Sequence, residues 1–419
     1  MNNLEVIVAG GGIGGLSLAL SLHQAGIAVR VYEAVRDPAP LGVGINLQPT
    51  AVRELTELGL GSALAEIGVA TRRLNLCNKF GQLIHDEPRG LAAGYRWPQY
   101  SIHRGELQLL MLRAVRDRIG NDNIRTGLKL TGFEQDRSRV RVRLSDRQSG
   151  SEQVDEADVL VGADGIHSAV RLQLYPEEGA PCFAKQMLWR AAVEADPFLD
   201  GQTMVIAGHF HQRVIVYPIG RTRNGKALVN WICQKTVPDR PLPREDWSRR
   251  VANGEVMSAF GGWKFPWLDL ATVIEQSPNI YEFPLVDRDP VAAWSFGRVT
   301  LLGDAAHPMQ PVGGQAGSQA ILDARALGRA LRETDDAVIA LERYDAERRP
   351  PMNDIILKNR NFGPEAAMQL AEERAPNGFT NVEDVISRGE FDAIAASFAK
   401  AAGLDVETVN NRPSYIPPQ

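Results

Sequence analysis

The stretch Leu4-Glu5-Val6-Ile7-Val8-Ala9-Gly10-Gly11-Gly12-Ile13-Gly14-Gly15 decides how the rest of the chain is read. Its apolar opening predicts a buried strand, and residues 13–25 carry apolar side chains at helical spacing until Gly26 supplies a stop. Val29-Arg30-Val31-Tyr32-Glu33 predicts a second strand, so the segment is a βαβ unit whose turn carries G-x-G-x-x-G at Gly10, Gly12 and Gly15. Each glycine has a mechanical reason: a tight turn, close approach of backbone to a pyrophosphate, and close packing of helix on strand. The helix that opens at Ile13 and Gly14 then presents unpaired N–H groups and a positive dipole end to the phosphates. Glu33 ends the second strand, where a carboxylate accepts hydrogen bonds from ribose hydroxyls and repels a 2′-phosphate. Together these predict an adenine-dinucleotide site, with NAD and FAD both open.

Working outward, 419 residues at 45.9 kDa exceed one ordinary hydrophobic core and predict two folding units or three small ones. Apolar residues at 44%, charged residues at 23% and a mean hydropathy of -0.20 exclude disorder as the dominant state. A net charge of -5 argues against an extended nucleic-acid surface. Cys77, Cys182 and Cys233 lie far apart, which predicts neither a disulfide framework nor a zinc site and suits a reducing cytoplasm. With a strand-like run almost at the first residue no secretory leader is expected, and no apolar run is long enough to predict a spanning helix.

Two later stretches repeat the theme of a buried strand ending in an acid. Asp158-Val159-Leu160-Val161-Gly162-Ala163-Asp164-Gly165 leads through Ser168 to a helical start at Arg171. Val299-Thr300-Leu301-Leu302-Gly303-Asp304-Ala305-Ala306-His307 is followed by Pro311, Gly313, Gly314 and Gly317 before a helical stretch at 319–331. A strand-end Asp alone is more often a helix cap or turn former. Two of them downstream of the Gly-rich turn suit the gripping of polyol hydroxyls.

In this order and at these separations, the three motifs resemble the class A flavoprotein monooxygenases, the para-hydroxybenzoate hydroxylase-like family, from residue 4 to about 350. The resemblance implies FAD, with Gly10, Gly12, Ile13, Gly14, Gly15 and Glu33 on its ADP half and Gly303 and Asp304 on its ribityl chain. It implies that Asp164, Gly165 and Arg171 serve both FAD and the nicotinamide, that Arg104 contacts FAD, and that Pro311, Gly314 and Gly317 border the flavin ring. It further implies electrophilic hydroxylation of an aromatic ring by a flavin C4a-hydroperoxide made from molecular oxygen. A second G-x-G-x-x-G unit is absent, so NADH or NADPH is expected to visit transiently as reductant. Residues 41–49 and 100–107 are most similar to the branch that hydroxylates phenazine carboxylates in pyocyanin biosynthesis. Two departures stand out. Family glycines at the third and fifth positions after Pro311 appear as Gly314 and Ala316, and a Trp-Arg-Gly segment appears as Trp189-Arg190-Ala191.

The expected fold class is α/β: a Rossmann-like FAD-binding domain at 1–72, 97–181 and 286–350, a sheet-based substrate domain at 73–96 and 182–285, and a helical region at 351–419. Alternating stretches at 202–207, 213–218 and 227–233 predict strands of a mixed or antiparallel sheet with one face over the flavin. Trp189, Arg190, His209, His211, Arg213, Tyr217 and Trp231 are candidate pocket residues, with ordinary packing favoured for Trp231. Tyr217, Arg190 and His211 are the catalytic candidates, and Arg190 or Arg213 suits a substrate carboxylate. His307 is read as supporting the flavin loop. Pro350-Pro351 is expected to break the helix before it, the tail to cover the FAD domain or build a homodimer contact, and residues 413–419 to fray. No metal is implied. Two rival readings are an FAD-dependent reductase or dehydrogenase of a lipophilic substrate and a non-catalytic flavin-binding redox partner.

Overall fold

The Gly-rich turn joins strand Glu5–Ala9 to helix Ile13–Gln24, and the next strand, Ala28–Glu33, pairs parallel with the first. The computed structural model describes residues 4–39, 43–221, 224–238, 249–361, 365–391, 393–394 and 405–417. Leu41 and Gly42 of the branch-like stretch, and Pro418 and Gln419 of the tail, lie outside these. Glu5–Ala9 sits at the centre of a six-stranded sheet, between Ala28–Glu33 and Val159–Gly162, with Val299–Leu301 next outward. All three of these pairings are parallel. The Gly-rich turn, Asp164 and Gly303-Asp304 therefore leave the same end of neighbouring strands, the carboxyl end where open α/β sheets bind ligands. Strands buried on both sides read as unbroken apolar runs, which is why Val6, Ile7, Val8, Val159, Leu160 and Val161 are all at most 1% exposed.

The second unit is an eight-stranded mixed sheet built mainly from 182–287, completed by Arg73–Cys77 and Leu83–Pro88. Its central strands are Cys182–Ala195, Ala227–Thr236, Gln212–Arg221 and Thr203–His209, and the last pairs parallel with Arg73–Cys77. One face packs Trp189, Trp231, Val216 and Cys233 against helices Asn253–Phe260 and Leu270–Glu275. The other face meets a small three-stranded sheet of Gly44–Leu47, Gln99–His103 and Gly68–Thr71.

Two expectations about the C-terminal part need correction. Helix Ala337–Asn359 runs through Pro350 and Pro351, because Met352, Ile355 and Ile356 beyond them are buried in the first core and tertiary packing outweighs the lost backbone bonds. The tail end is also anchored. Arg412 and Ser414 bond Glu54 and Glu57, Ile416 is fully buried, and its carbonyl accepts from Arg325. Burial of one apolar side chain and one carbonyl replaces the expected fraying.

Candidate active site

The cradle at the strand tips is shaped by what its glycines leave out. Gly10 has φ +110, and a Cβ there would lie 2.3 Å from the Ala163 carbonyl oxygen. A Cβ on Gly15 would lie 2.0 Å from the Gly10 carbonyl oxygen, and one on Gly14 2.6 Å from Leu302 Cδ2. Gly12, by contrast, faces open space. It precedes the helix Ile13–Gln24, whose N-terminus has no side-chain cap, so its backbone N–H groups are free for an anion. The helix Ala316–Glu333 starts without a side-chain cap as well, just after a loop with Gly313 at φ +65 and Gly314 at φ +62.

The strand-end acids occupy different states. Asp304 is exposed. Asp164 uses Oδ2 to accept from the Ala169 N–H at 2.7 Å, whereas its Oδ1 is buried with no partner. Burial pushes the Asp164 carboxyl above its ordinary pKa, as expected for an acid waiting for donors. Glu33 holds the Gly11 N–H at 2.7 Å and the Val35 N–H at 2.6 Å, leaving further acceptor capacity on both oxygens. Arg104 opens helix Arg104–Ile119 with an exposed side chain, its own N–H bonded to the Val43 carbonyl.

Arg171 does not join this group. All five of its N–H donors are taken by Glu178 and by the carbonyls of Ala305, Ala306 and Asp289, and it is 2% exposed. It clamps the Asp164 segment to the Gly303-Asp304 segment from beneath, which leaves nothing for a nicotinamide. His307 likewise lies below the loop: its Nε2 meets Asp323 Oδ2 at 2.5 Å, and Asp323 also takes the Gly303 N–H and Arg348 Nε. Although burial alone would raise the Asp323 carboxyl, His307 and Arg348 hold it below the ordinary value.

Strand Gly44–Leu47 lies between the segment carrying Gly314 and Gly317 and a polar patch of the eight-stranded sheet. Residues opposite one another in antiparallel strands share a face, as do residues two apart. Arg190 opposes Ile232, Ile232 opposes Ile215, and Tyr217, two beyond Ile215, opposes Asn230. Arg190, Tyr217 and Asn230 thus share one face with Ile215 and Ile232, while Trp189 and Trp231 point into the opposite core and are not pocket residues. Gly44 admits this patch to close range, since a Cβ there would lie 2.5 Å from Tyr217 Cε2 and 2.9 Å from Asn230 Cβ.

Arg190 donates from Nη2 to the Gly44 carbonyl at 3.2 Å and lies 5.5 Å from the Phe283 ring centroid. Its Nε is buried without a partner, and among the described residues its guanidinium bonds a carbonyl and no carboxylate. Burial brings its pKa down to about 10, still cationic at neutral pH. Tyr217 beside it is pushed up to about 12 by burial, so its phenol stays a neutral donor. Asn230 accepts the Gly44 N–H at 2.7 Å and keeps a buried, unpartnered Nδ2.

His211 is not near them. It is exposed in the turn between Thr203–His209 and Gln212–Arg221, its Nδ1 3.2 Å from Thr236 Oγ1, and Tyr217 lies six residues further along the strand, about 20 Å away. His209 is beside it at the same end. Arg213 is committed to an ion pair with Glu365 and to Gln234 at 3.0 to 3.1 Å. Sequence reasoning missed Asn46 and Asn230. The available signal was an amide amid apolar neighbours, Val229 and Trp231 for Asn230, in a strand stretch buried on both faces.

Residues 3–358 match the FAD binding domain family. The chain belongs to that family. This flavoprotein is 48% identical over 365 residues to phenazine 1,6-dicarboxylic acid hydroxylase PhzS of Lysobacter antibioticus, covering 85% of this chain and 89% of the relative. It is 34% identical over 363 residues to the aurachin C monooxygenase/isomerase of Stigmatella aurantiaca, covering 86% and 89%. The crystal structure of Klebsiella pneumoniae HpxO complexed with FAD and uric acid superposes with a TM-score of 0.74 at 26% identity, covering 97% of this chain and 96% of the other. The chain is accordingly an FAD-dependent monooxygenase of the hydroxylase type, with NAD(P)H as the family's reductant. No helix among the described residues is long and apolar enough to cross a membrane.

Proposed function

We propose that this flavoprotein hydroxylates a planar N-heteroaromatic acid held between the strand-tip cradle and the Arg190–Tyr217–Asn230 patch. The observation that carries the reading is a half-buried guanidinium with no acid partner and a buried, unpartnered Nε, set beside the buried, unpartnered Asn230 Nδ2 and the Tyr217 phenol. A cation held partly out of water with no counter-charge is costly, and a ligand carboxylate resolves it. The relative named for phenazine 1,6-dicarboxylic acid and the neighbouring structure complexed with uric acid support a nitrogen-containing ring.

The residues present fit FAD. Gly10, Gly12, Gly14 and Gly15 leave a cradle that a Cβ would fill or distort, and two uncapped helix N-termini suit phosphate and the electron-rich edge of a flavin. Glu33, the orphan Oδ1 of Asp164 and exposed Asp304 would accept from ribose and ribityl hydroxyls, Gly165, Pro311, Gly314 and Gly317 would line the ring and its approach, and Arg104 would meet the phosphates. Bound FAD supplies the redox chemistry that activates oxygen. Arg190 orients the substrate by its carboxylate, Tyr217 donates to a ring oxygen or nitrogen, and Ile215, Ile232 and Leu188 keep water from the reacting faces. Arg171 acts only as a clamp, and His211 drops out of the catalytic set. The division into 1–72, 97–181 and 286–350 against 73–96 and 182–285 belongs to the same reading, as do molecular oxygen as co-substrate, a homodimer and a cytoplasmic setting.

The test is NAD(P)H oxidation followed together with oxygen uptake over a panel of aromatic acids that includes phenazine 1,6-dicarboxylic acid. Stimulation of both by a panel member is expected. NAD(P)H oxidation without oxygen uptake would favour the reductase reading, and an inert bound flavin the non-catalytic one.

A further inference from the structure

We infer that Asn46 is a substrate-positioning residue, its amide fixed by a hydroxyl chain so that Nδ2 donates to an acceptor atom of the bound aromatic acid. This rests on the hydroxylase reading above and adds a residue to its substrate contacts.

Asn46 is 7% exposed and lies two residues beyond Gly44, on the same face of strand Gly44–Leu47. Ser101, directly opposite in the small sheet, places Oγ 2.6 Å from Asn46 Oδ1. That length suits O–H···O and is short for N–H···O, so oxygen and not nitrogen faces Ser101. A carbonyl oxygen only accepts, so Ser101 spends its single proton on it. Thr71 Oγ1, also 2.6 Å from Ser101 Oγ, must therefore be the donor in its own bond. Both hydroxyls are buried. The chain Thr71 to Ser101 to Asn46 has one direction, and it ends by turning both amide protons away from the small sheet.

Those protons face the active site. Among the described residues Nδ2 has only the Met204 thioether at 3.6 Å, a weak acceptor, and sits 4.0 Å from where a Cβ of Gly314 would be. Met204 shares its sheet face with Ile206 and lies one strand over from Tyr217. The donor thus lies between the loop bearing Gly313 and Gly314 and the patch that carries Tyr217. Gln48 steadies that loop by donating from Nε2 to the Gly313 carbonyl at 3.0 Å, so the gap next to Asn46 is bounded on a fixed side. An amide cannot pass a proton on through this chain, so its role is to hold a donor in place.

The test uses FAD-loaded protein and reads the flavin absorbance change on titration with the same acid panel. Asn46→Asp is expected to raise the dissociation constant of the responding acid by about tenfold or more with FAD retention unchanged. Ser101→Ala, which leaves the amide in place but unfixed, should raise it by roughly threefold to tenfold, and Ser101→Thr should restore it. A response of both loss variants within about twofold of wild type overturns the proposal while leaving the hydroxylase reading intact. Loss of FAD with unaltered acid affinity after reloading overturns it too. Should no panel member perturb the wild-type flavin, the hydroxylase reading fails and Asn46 loses its assigned role with it.

Discussion

The two walls of the active site are made of different material. The strand-tip wall is mostly backbone: glycines that bring segments within contact, helix N-termini without caps, and three acids at strand ends. The facing wall is side chains, Arg190, Tyr217 and Asn230, delivered by three separate strands and brought to one face only through register. A wall of backbone fits a constant ligand, and a wall of side chains is free to change with the substrate. Damage to the first should therefore remove the cofactor, and damage to the second should change the substrate and spare the cofactor.

The largest effect is expected beneath the first wall. Asp323→Asn strands Arg348 and His307 in a fully buried site and should cost about 3 to 5 kcal/mol in denaturant unfolding. The sign with pH follows from the depressed Asp323 pKa. The unfolded chain binds the proton more readily, so this stabilisation is complete above the unfolded carboxyl value and is lost as pH falls through the folded one. The variant should lose stability at neutral pH and show a shallower acid decline.

Next, Gly15→Ala drives a methyl against the Gly10 carbonyl and should cost about 1 to 3 kcal/mol together with most of the retained flavin, measured by absorbance after gel filtration. If flavin retention survives, the backbone wall is not where FAD lies. On the second wall, Arg190→Met should weaken binding of the aromatic acid by roughly tenfold to a hundredfold with full flavin content, in a flavin-perturbation titration. Tyr217→Phe should cost about twofold to tenfold, and because the phenol pKa is near 12, the pH profile between neutral and mildly alkaline should keep its shape. His211→Ala, made in the same assay, should leave both walls unaffected; a loss comparable to that of Tyr217→Phe would return the hairpin turn to the site.

The same contrast explains what could be read from the sequence. Gly10, Gly12, Gly15, Asp164 and Asp304 each make sense from residues within a few positions, so local pattern sufficed to place them. The substrate strands were visible from alternation, but their facing was not. Trp189 and Arg190 are neighbours in a strand buried on both sides, and only pairing with Ile232 shows that the arginine looks to the site and the tryptophan away. Arg171 looked like a nicotinamide contact because its partners, Ala305 and Ala306, are remote in the chain. Pro350-Pro351 misled because local propensity was read without the core that seals the following turns. Asn46 was legible in principle as a polar residue in a short buried strand, yet its meaning depends on Ser101 and Thr71 across two strand pairings.

The most direct measurement is incorporation of isotopically labelled dioxygen by the FAD-loaded protein given NAD(P)H and the aromatic acid that most stimulates oxygen uptake. The account predicts a product heavier by one labelled oxygen atom, formed in proportion to NAD(P)H consumed and lost with Arg190→Met. Product carrying oxygen from water, or consumption of NAD(P)H with no labelled product from any acid on the panel, would contradict it.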